Sequence, residues 1–324
     1  MMYDVVALGE LLIDFAAKST DAAGYPTMAA NPGGAPGNFL AALNSFGAST
    51  AFIGKVGEDA FGRLLLGTIR QAGIETRGIV VEPDVFTTLA FVTFDETGNR
   101  EFSFSRKPGA DTMLRCEELD FGLIDEAKVF HFGTLSLTDE PARTATQRAV
   151  AYAKSRGKWI TYDPNLRKPL WKDLETAREQ LLWGLAQADV VKISDEEVDF
   201  LFGLGVEEGA AHILDAFGPK LVFVTCGSDG CFFQNAVAQG HVDALQEIKV
   251  IDTTGAGDIF GGSAVWKLLQ FGKAPETLTE AELREIVTFA CTSAGLSTTK
   301  SGGISSVPSY EDVMARMERL DRTD

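Results

Sequence analysis

The chain of 324 residues is poor in the side chains that build metal centres and disulfide frameworks: it has four cysteines, Cys116, Cys226, Cys231 and Cys291, and three histidines, His131, His212 and His241. None of the cysteines forms a C-x-x-C pair and the histidines are scattered without ligand spacing, so neither a redox motif nor a zinc site is expected. The thiols are expected to be free and buried. Positive charge is also scarce. Against 46 Asp and Glu there are 29 Lys and Arg, a net charge of −17. That disfavours attraction to nucleic acid or anionic lipid, and any anionic substrate needs local positive groups. No run of about 18 apolar residues suggests a membrane span. Met1 to Ala7 lacks the basic start of a secretory leader and runs straight into a strand. A cytoplasmic protein without nucleic-acid or membrane partners is the expectation.

What is present is alternation. Apolar strand-like runs such as Val5 to Leu8, Ala51 to Ile53, Val129 to Phe132, Trp159 to Tyr162, Val190 to Ile193 and Leu221 to Thr225 alternate with helical stretches such as Phe39 to Phe46, Ala60 to Ala72 and Arg143 to Ser155. This predicts an α/β chain with a mostly parallel sheet between two helical layers, and functional loops at the strands' C-terminal ends. The segments DPNLR, SDEE and CGSDG fall there. One piece departs from the pattern: Thr88 to Asp95 and Arg100 to Arg106 read as two alternating strands joined through Glu96, Thr97, Gly98 and Asn99. The tail after Tyr310 reads as a polar terminal helix.

The most specific segment is DTTGAGD, Asp252 through Asp258. It follows Ile248 to Ile251, which read as a strand, and opens a helical pattern over Ile259 to Phe271. Gly255 and Gly257 let the backbone approach a ligand, and first-turn amides with the helix dipole favour a phosphate. An acid just after an anion cradle makes sense if Asp258 takes a proton from a hydroxyl that attacks a phosphorus held beside it. A tight turn with a helix cap is the plainer alternative.

Together with GGAPGNFLAALNSFG at 33–47 and GKVGEDAFG at 54–62, this segment makes the chain resemble the PfkB, or ribokinase-like, family of sugar kinases. The resemblance runs from ALGELLIDF at 7–15 to GGISSVP at 302–308. PGGAP at 32–36, FSFSRKPGADTML at 102–114, FHFGTLSL at 130–137, YDPNLRKPLW at 162–171 and KISDEEVDFL at 192–201 are similar to the fructokinase branch. It implies one ribokinase-like three-layer α/β/α domain over 1–324 with a small β-sheet lid, formed by about 14–31 and 88–107. The lids of such proteins sometimes pair, so a homodimer is a further expectation.

The implied activity is transfer of the ATP γ-phosphoryl group to a sugar's primary hydroxyl, fructose first, with Mg2+ and K+ as cofactors. Asp258 is then the base, and Gly255, Ala256, Gly257 and Arg167 stabilise the moving phosphoryl group. Asp14, Gly33, Gly34, Asn38, Asn165, Phe104 and Arg106 are the sugar-binding candidates. Asn38 also reads as a helix N-cap, Phe104 as core packing, Arg106 as a solvated strand end, and Arg167 as a partner of Asp163. Where the branch usually shows Tyr-Arg-Asn, this chain has Ser105, Arg106 and Lys107.

Asn165, Ser194, Thr225, Gly227, Ser228, Gly230, Gly255 and Gly257 are the implied nucleotide contacts. Thr225 to Gly230 reads equally as a plain glycine turn. Glu197 is implied to hold magnesium through water, although Ser194 and Glu197 also fit a capping box. Asp252, Thr254, Ser297, Lys300, Gly302 and Ser306 are implied around a monovalent cation, in a tail that closes over adenine. A 2-keto-3-deoxygluconate kinase, using Arg106, Lys107 and Arg167 for an acid sugar, and a non-catalytic sugar or nucleotide sensor remain the alternatives.

Overall fold

The apolar runs assemble side by side because each is sealed on both faces. The computed structural model describes residues 2–94 and 100–320, so the turn Glu96 to Asn99 lies outside the described residues. In chain order the elements are β1 (Tyr3–Leu8), β2 (Leu12–Thr20), β3 (Pro26–Gly33), α1 (Ala35–Ser45), β4 (Thr50–Gly57), α2 (Ala60–Gln71), β5 (Glu75–Glu82), β6 (Leu89–Phe94) and β7 (Arg100–Ser105). There follow α3 (Phe121–Asp125), β8 (Ala127–Gly133), α4 (Ala142–Ser155), β9 (Trp159–Asp163), α5 (Leu174–Leu185), β10 (Val190–Ser194), α6 (Asp195–Phe202) and α7 (Val206–Phe217). The chain ends with β11 (Leu221–Thr225), β12 (Cys231–Asn235), β13 (Gln239–Val242), α8 (Ala256–Phe271), α9 (Glu280–Ser297) and α10 (Tyr310–Leu320).

Nine strands form one sheet in the order β13-β12-β11-β10-β9-β8-β1-β4-β5, parallel except where β12 runs against β11 and β13. On β1, Val6 and Leu8 point to a core completed by α3 to α7, through side chains such as Leu123, Val150, Leu181, Val198 and Ile213. Val5 and Ala7 point to the opposite core, filled by Phe39 and Leu40 of α1, Leu65 and Ile69 of α2, and Val265 of α8. Two-sided burial explains why the strand reads as an unbroken apolar run, and each large side chain buried this way contributes about 1.5 to 3 kcal/mol. The terminal helix α10 docks through Val313 near Phe46, Ile259 and Phe289.

Helix ends follow local chemistry. Asp59 caps α2 by accepting from the amides of Phe61 and Gly62, both at 2.8 Å, and Thr279 and Glu282 form a capping box on α9.

A second sheet of four strands, ordered β3-β2-β6-β7, contains the segments expected to form a lid. It packs on α2, where Phe15 meets Phe61 edge-on at 5.5 Å and stacks on Phe91 at 5.3 Å.

Two expectations need correction. Ile248 to Ile251 form no strand: β13 is already the sheet edge, Val250 and Ile251 are 55% and 60% exposed, and the segment is tied to α9 by the amides of Ile251 and Asp252 on the Thr298 carbonyl. The four cysteines are free, but Cys116 and Cys226 are only half-buried, as is usual at a strand end or loop. No helix among the described residues is long and apolar enough to cross a membrane.

Lys55 on β4 is 1% exposed and lies 2.7 Å from both Glu82 and Glu118, with the Met113 carbonyl at 3.1 Å. Lys55→Met leaves two acids facing each other beside the core, and a loss of about 3 kcal/mol is expected from the urea unfolding midpoint. A change below about 1 kcal/mol, typical of surface pairs, would contradict the buried character of this knot.

Candidate active site

The site lies at the C-terminal ends of the parallel strands, where α8 begins. Gly255, with φ of 77°, caps α8, and Asp258 follows in its first turn. The half-buried Asp258 carboxylate accepts 2.8 Å from Nδ2 of Asn38 and is approached at 3.5 Å by Nδ2 of Asn165. Burial raises its pKa. The Asn38 hydrogen bond, Lys192 and Arg167 oppose that shift, whereas Glu197 adds to it, and the result is above the usual aspartate value. An acid moved toward neutrality is a better proton acceptor at physiological pH.

Asn38 is 3% exposed and sits in the first turn of α1, which starts at Ala35 with Gly34 as its N-cap. It therefore does not cap the helix. Its side chain crosses to α8. Gly34 has φ of 118°, and a Cβ there would lie 2.3 Å from the Glu10 carbonyl. The Glu10 carboxylate in turn accepts from the Ala35 amide at 2.8 Å, which suits a helix N-terminus.

Lys192, midway along β10, lies 3.1 Å from Asp163 at the end of β9. Burial disfavours its charge, but Asp163, Glu197 and Asp258 outweigh that and raise its pKa. A Cβ on Gly257 would stand 3.0 Å from its Nζ, so the glycine leaves room for the ammonium at the start of α8. Asp163 is thus paired with Lys192 and not with Arg167, which is exposed.

Glu197 uses both oxygens on backbone amides, Leu166 at 2.6 Å and Ser194 at 2.8 Å, while Ser194 caps α6. The capping box expected from the sequence is present, and the carboxylate is fixed facing the site.

In the smaller sheet, Asn31, Asp14, Ala90 and Phe104 are neighbours in one cross-strand row, so they share a face. Asp14, Asn31 and Val92 line a cavity of about 130 Å³ whose other wall is Ile251, Asp252, Thr254 and Ser301. Phe104 is half-buried on that face, opposite the one carrying Phe15 and Phe91. The side chains of Phe94 and Phe102 lie outside the described residues. Gly33 opens space for Asp14, since a Cβ would lie 2.6 Å from its Oδ2. Burial raises the Asp14 pKa to about 7, with Arg167 opposing and Asp258 and Asp252 reinforcing the shift.

On the other side of the same loop is a cavity of about 500 Å³ lined by Thr225, Gly227, Ser228, Gly230, Thr253, Ala256 and Gly257, with Leu245, Ile248, Phe260 and Ala294 as apolar walls. A Cβ on Gly230 would meet the Val242 carbonyl at 2.1 Å, and Gly295 lets Leu245 close the wall. A cavity of this size with apolar walls beside the first turn of α8 has room for a nucleotide base, with helix-start amides suited to phosphates.

Around the tail, Asp252 accepts from the Thr254 amide and hydroxyl through one oxygen and from Ser301 and the Gly302 amide through the other. Burial disfavours its charge, but these hydrogen bonds win and hold its pKa below the usual value. Ser297 and Ser306 are buried and donate to carbonyls of their own turns, whereas Lys300 is exposed.

Arg106 is not a solvated strand end. It is 6% exposed and bound to Asp111 at 2.7 Å, to the Thr138 hydroxyl and to the Leu135 carbonyl. Lys192, Glu10 and Asn31 belong to the site and were not singled out from the sequence. The available signal was an ionic residue interrupting an apolar strand end in KISDEE and ALGELL.

A three-layer α/β enzyme with a cleft at its strand ends is also what solved structures resemble. A fructokinase from Xylella fastidiosa with bound ATP superposes with a TM-score of 0.88 at 29% identity, covering 99% of this chain and all of that one. A fructokinase double mutant from Vibrio cholerae O395, in a form with fructose, ADP and potassium ion bound, gives 0.84 at 29% identity over 97% and 98% of the two chains. Fructokinase-1 of Zea mays is 41% identical over 319 residues, 97% of this chain and 98% of that protein. The pfkB family carbohydrate kinase model matches residues 2–310, and the chain belongs to that family.

Glu10 offers a test of the electrostatics beneath this site. Burial lifts its pKa from 4.5 to about 7, so between those values the folded state holds a proton that the unfolded state has released. Stability therefore falls as pH rises from about 4.5 to about 7. Glu10→Gln is expected to flatten that part of the stability profile in urea titrations; an unchanged slope would place the ionised carboxylate comfortably at this position.

Proposed function

We propose that the protein is an ATP-dependent fructokinase that phosphorylates the primary hydroxyl at C6 of fructose. The observation that carries this reading is the segment 250–257: Asp252 and Thr254 face the smaller cavity, Thr253, Ala256 and Gly257 face the larger one, and Asp258 follows at once. One loop thus has the smaller space on one side and the larger on the other, and Asp258 follows it in the first turn of α8.

Asp258 takes the hydroxyl proton as the oxygen attacks the γ-phosphorus and the bond to the β–γ bridging oxygen breaks, releasing ADP. The amides of Gly255, Ala256 and Gly257 at the start of α8, with Lys192 and Arg167, stabilise the charge on the moving phosphoryl group. Asp14, Gly33, Gly34, Asn38 and Asn165 recognise sugar hydroxyls, and Phe104 covers the ring. Arg106, committed to Asp111, supports this region from behind. That commitment favours a neutral sugar over an acid sugar, because Arg106 is not available for a second carboxylate.

Thr225, Gly227, Ser228 and Gly230 hold the nucleotide. Among the described residues no group of three or more His, Cys, Asp and Glu could hold a metal. Glu197 would hold a phosphate-bound magnesium ion through water, and the ion would supply neutralisation of phosphate charge. Carbonyl and hydroxyl oxygens of Asp252, Thr254, Ser297, Lys300, Gly302 and Ser306 suit potassium.

ADP release measured with fructose, ribose, 2-keto-3-deoxygluconate, glucose and tagatose is expected to be fastest with fructose. Asp258→Asn is expected to keep ATP binding and lose about 10² to 10⁴ in turnover. Preference for the keto-acid would overturn the substrate, and undiminished turnover in Asp258→Asn would overturn the mechanism.

We also propose that the smaller sheet, whose β2–β3 turn carries the 69% exposed Tyr25, pairs two copies. Sedimentation should then give a dimer that Tyr25→Glu dissociates; a monomeric parent chain would refute it.

A further inference from the structure

The side-chain amide of Asn38 is held between two glycines from distant parts of the chain. A Cβ on Gly303, in the tail after α9, would lie 2.2 Å from Oδ1 and 2.7 Å from both Cγ and Nδ2, so the glycine's Cα rests against the amide. A Cβ on Gly255 would lie 3.0 Å from Nδ2 and 3.1 Å from the Gly303 Cα. Between them the amide is confined to one plane, and in it Nδ2 donates to Oδ2 of Asp258 at 2.8 Å. No protein donor among the described residues reaches Asn38 Oδ1, which is buried. Only the Asp258 contact therefore fixes which way the amide faces, and only the glycine slot fixes its plane.

We infer that Asn38 is a positioning residue for Asp258, and that Gly303 sets the aim of the base by clamping the Asn38 amide against Gly255. This rests on the reading of Asp258 as the base. A sugar-contact role alone does not require the Asn38 amide to be spent on a carboxylate. A tail glycine chosen only for its turn would not need to lie flat on that amide: Gly303 has φ of −86° and ψ of −85°, just beyond the helical region, and a methyl there would in addition collide with the Asn38 amide. The clamp joins α1, the start of α8 and the tail in one contact. Rearrangement of the tail on nucleotide binding would thereby reach the base.

The charged groups around Asp258 are Lys192 and Arg167, which favour its ionised form, and Glu197, Asp14 and Asp163, which oppose it. Loss of the Asn38 hydrogen bond raises the Asp258 pKa, so the acid limb of the kcat profile moves to higher pH. The test compares Asn38→Ala, Gly303→Ala and the double variant on the full chain with fructose and Mg-ATP. Each single variant is expected to lower kcat by about 10- to 100-fold and shift the acid limb upward, with KM for ATP unchanged. The double variant is expected to be no slower than Asn38→Ala, because without the amide Gly303 has nothing to clamp.

Wild-type kcat with only the fructose KM raised, or independent losses that multiply in the double variant, would overturn the inference. Should Gly303→Ala fail to fold, Asn38→Ala and Asn38→Ser decide through kcat and its pH profile. Asp258→Asn in parallel separates the two levels: turnover by that variant removes the base itself, whereas an inert Asp258→Asn beside unaffected Asn38 and Gly303 variants removes only the clamp.

Discussion

A half-buried carboxylate held in the first turn of a helix, among other acids, is the constraint on which the rest of this site depends. Burial pushes the Asp258 pKa upward, toward the protonated form that cannot act as a base. The Asn38 amide, the Lys192 ammonium and Arg167 oppose that outcome, and Glu197 reinforces it. Each counterweight comes from a different element: α1, β10 and the loop after β9. The parallel sheet matters functionally because it brings these strand ends and the start of α8 to one place.

A buried polar chain extends this constraint outward. At the end of β7, Arg106 is locked to Asp111, and both interact electrostatically with Glu10. Glu10 anchors the first amide of α1, and one turn further along α1 Asn38 reaches Asp258. The end of the smaller sheet and the proposed base are thus linked through buried, mostly satisfied groups, which are costly to leave half-paired. In a chain of net charge −17, Lys192 and Arg167 are the local positive groups that favour the ionised form of Asp258.

Much of this was legible in the sequence, for physical reasons. Strands buried on both faces read as continuous apolar runs, and DTTGAGD carries its helix start in its glycines. Ile248 to Ile251 misled because an apolar run at the edge of a cavity looks the same as one within a sheet. Asn38 read equally well as a cap, since capping is local whereas its bond to Asp258 spans 220 positions in sequence. Lys192 was hidden for the same reason: only the pairing of β9 with β10 brings it to Asp163. Arg106 seemed free because Asp111, its partner, lies in a short turn with no periodicity to mark it.

The most direct measurement of the central claim is a crystal structure with fructose and a non-hydrolysable ATP analogue. The C6 hydroxyl should lie about 2.6 to 3.2 Å from the Asp258 carboxylate, with the terminal phosphate on the amides of Gly255 to Gly257. A sugar whose reactive hydroxyl faces away from Asp258, or a nucleotide seated outside the cavity beside Gly230 and Phe260, would contradict it.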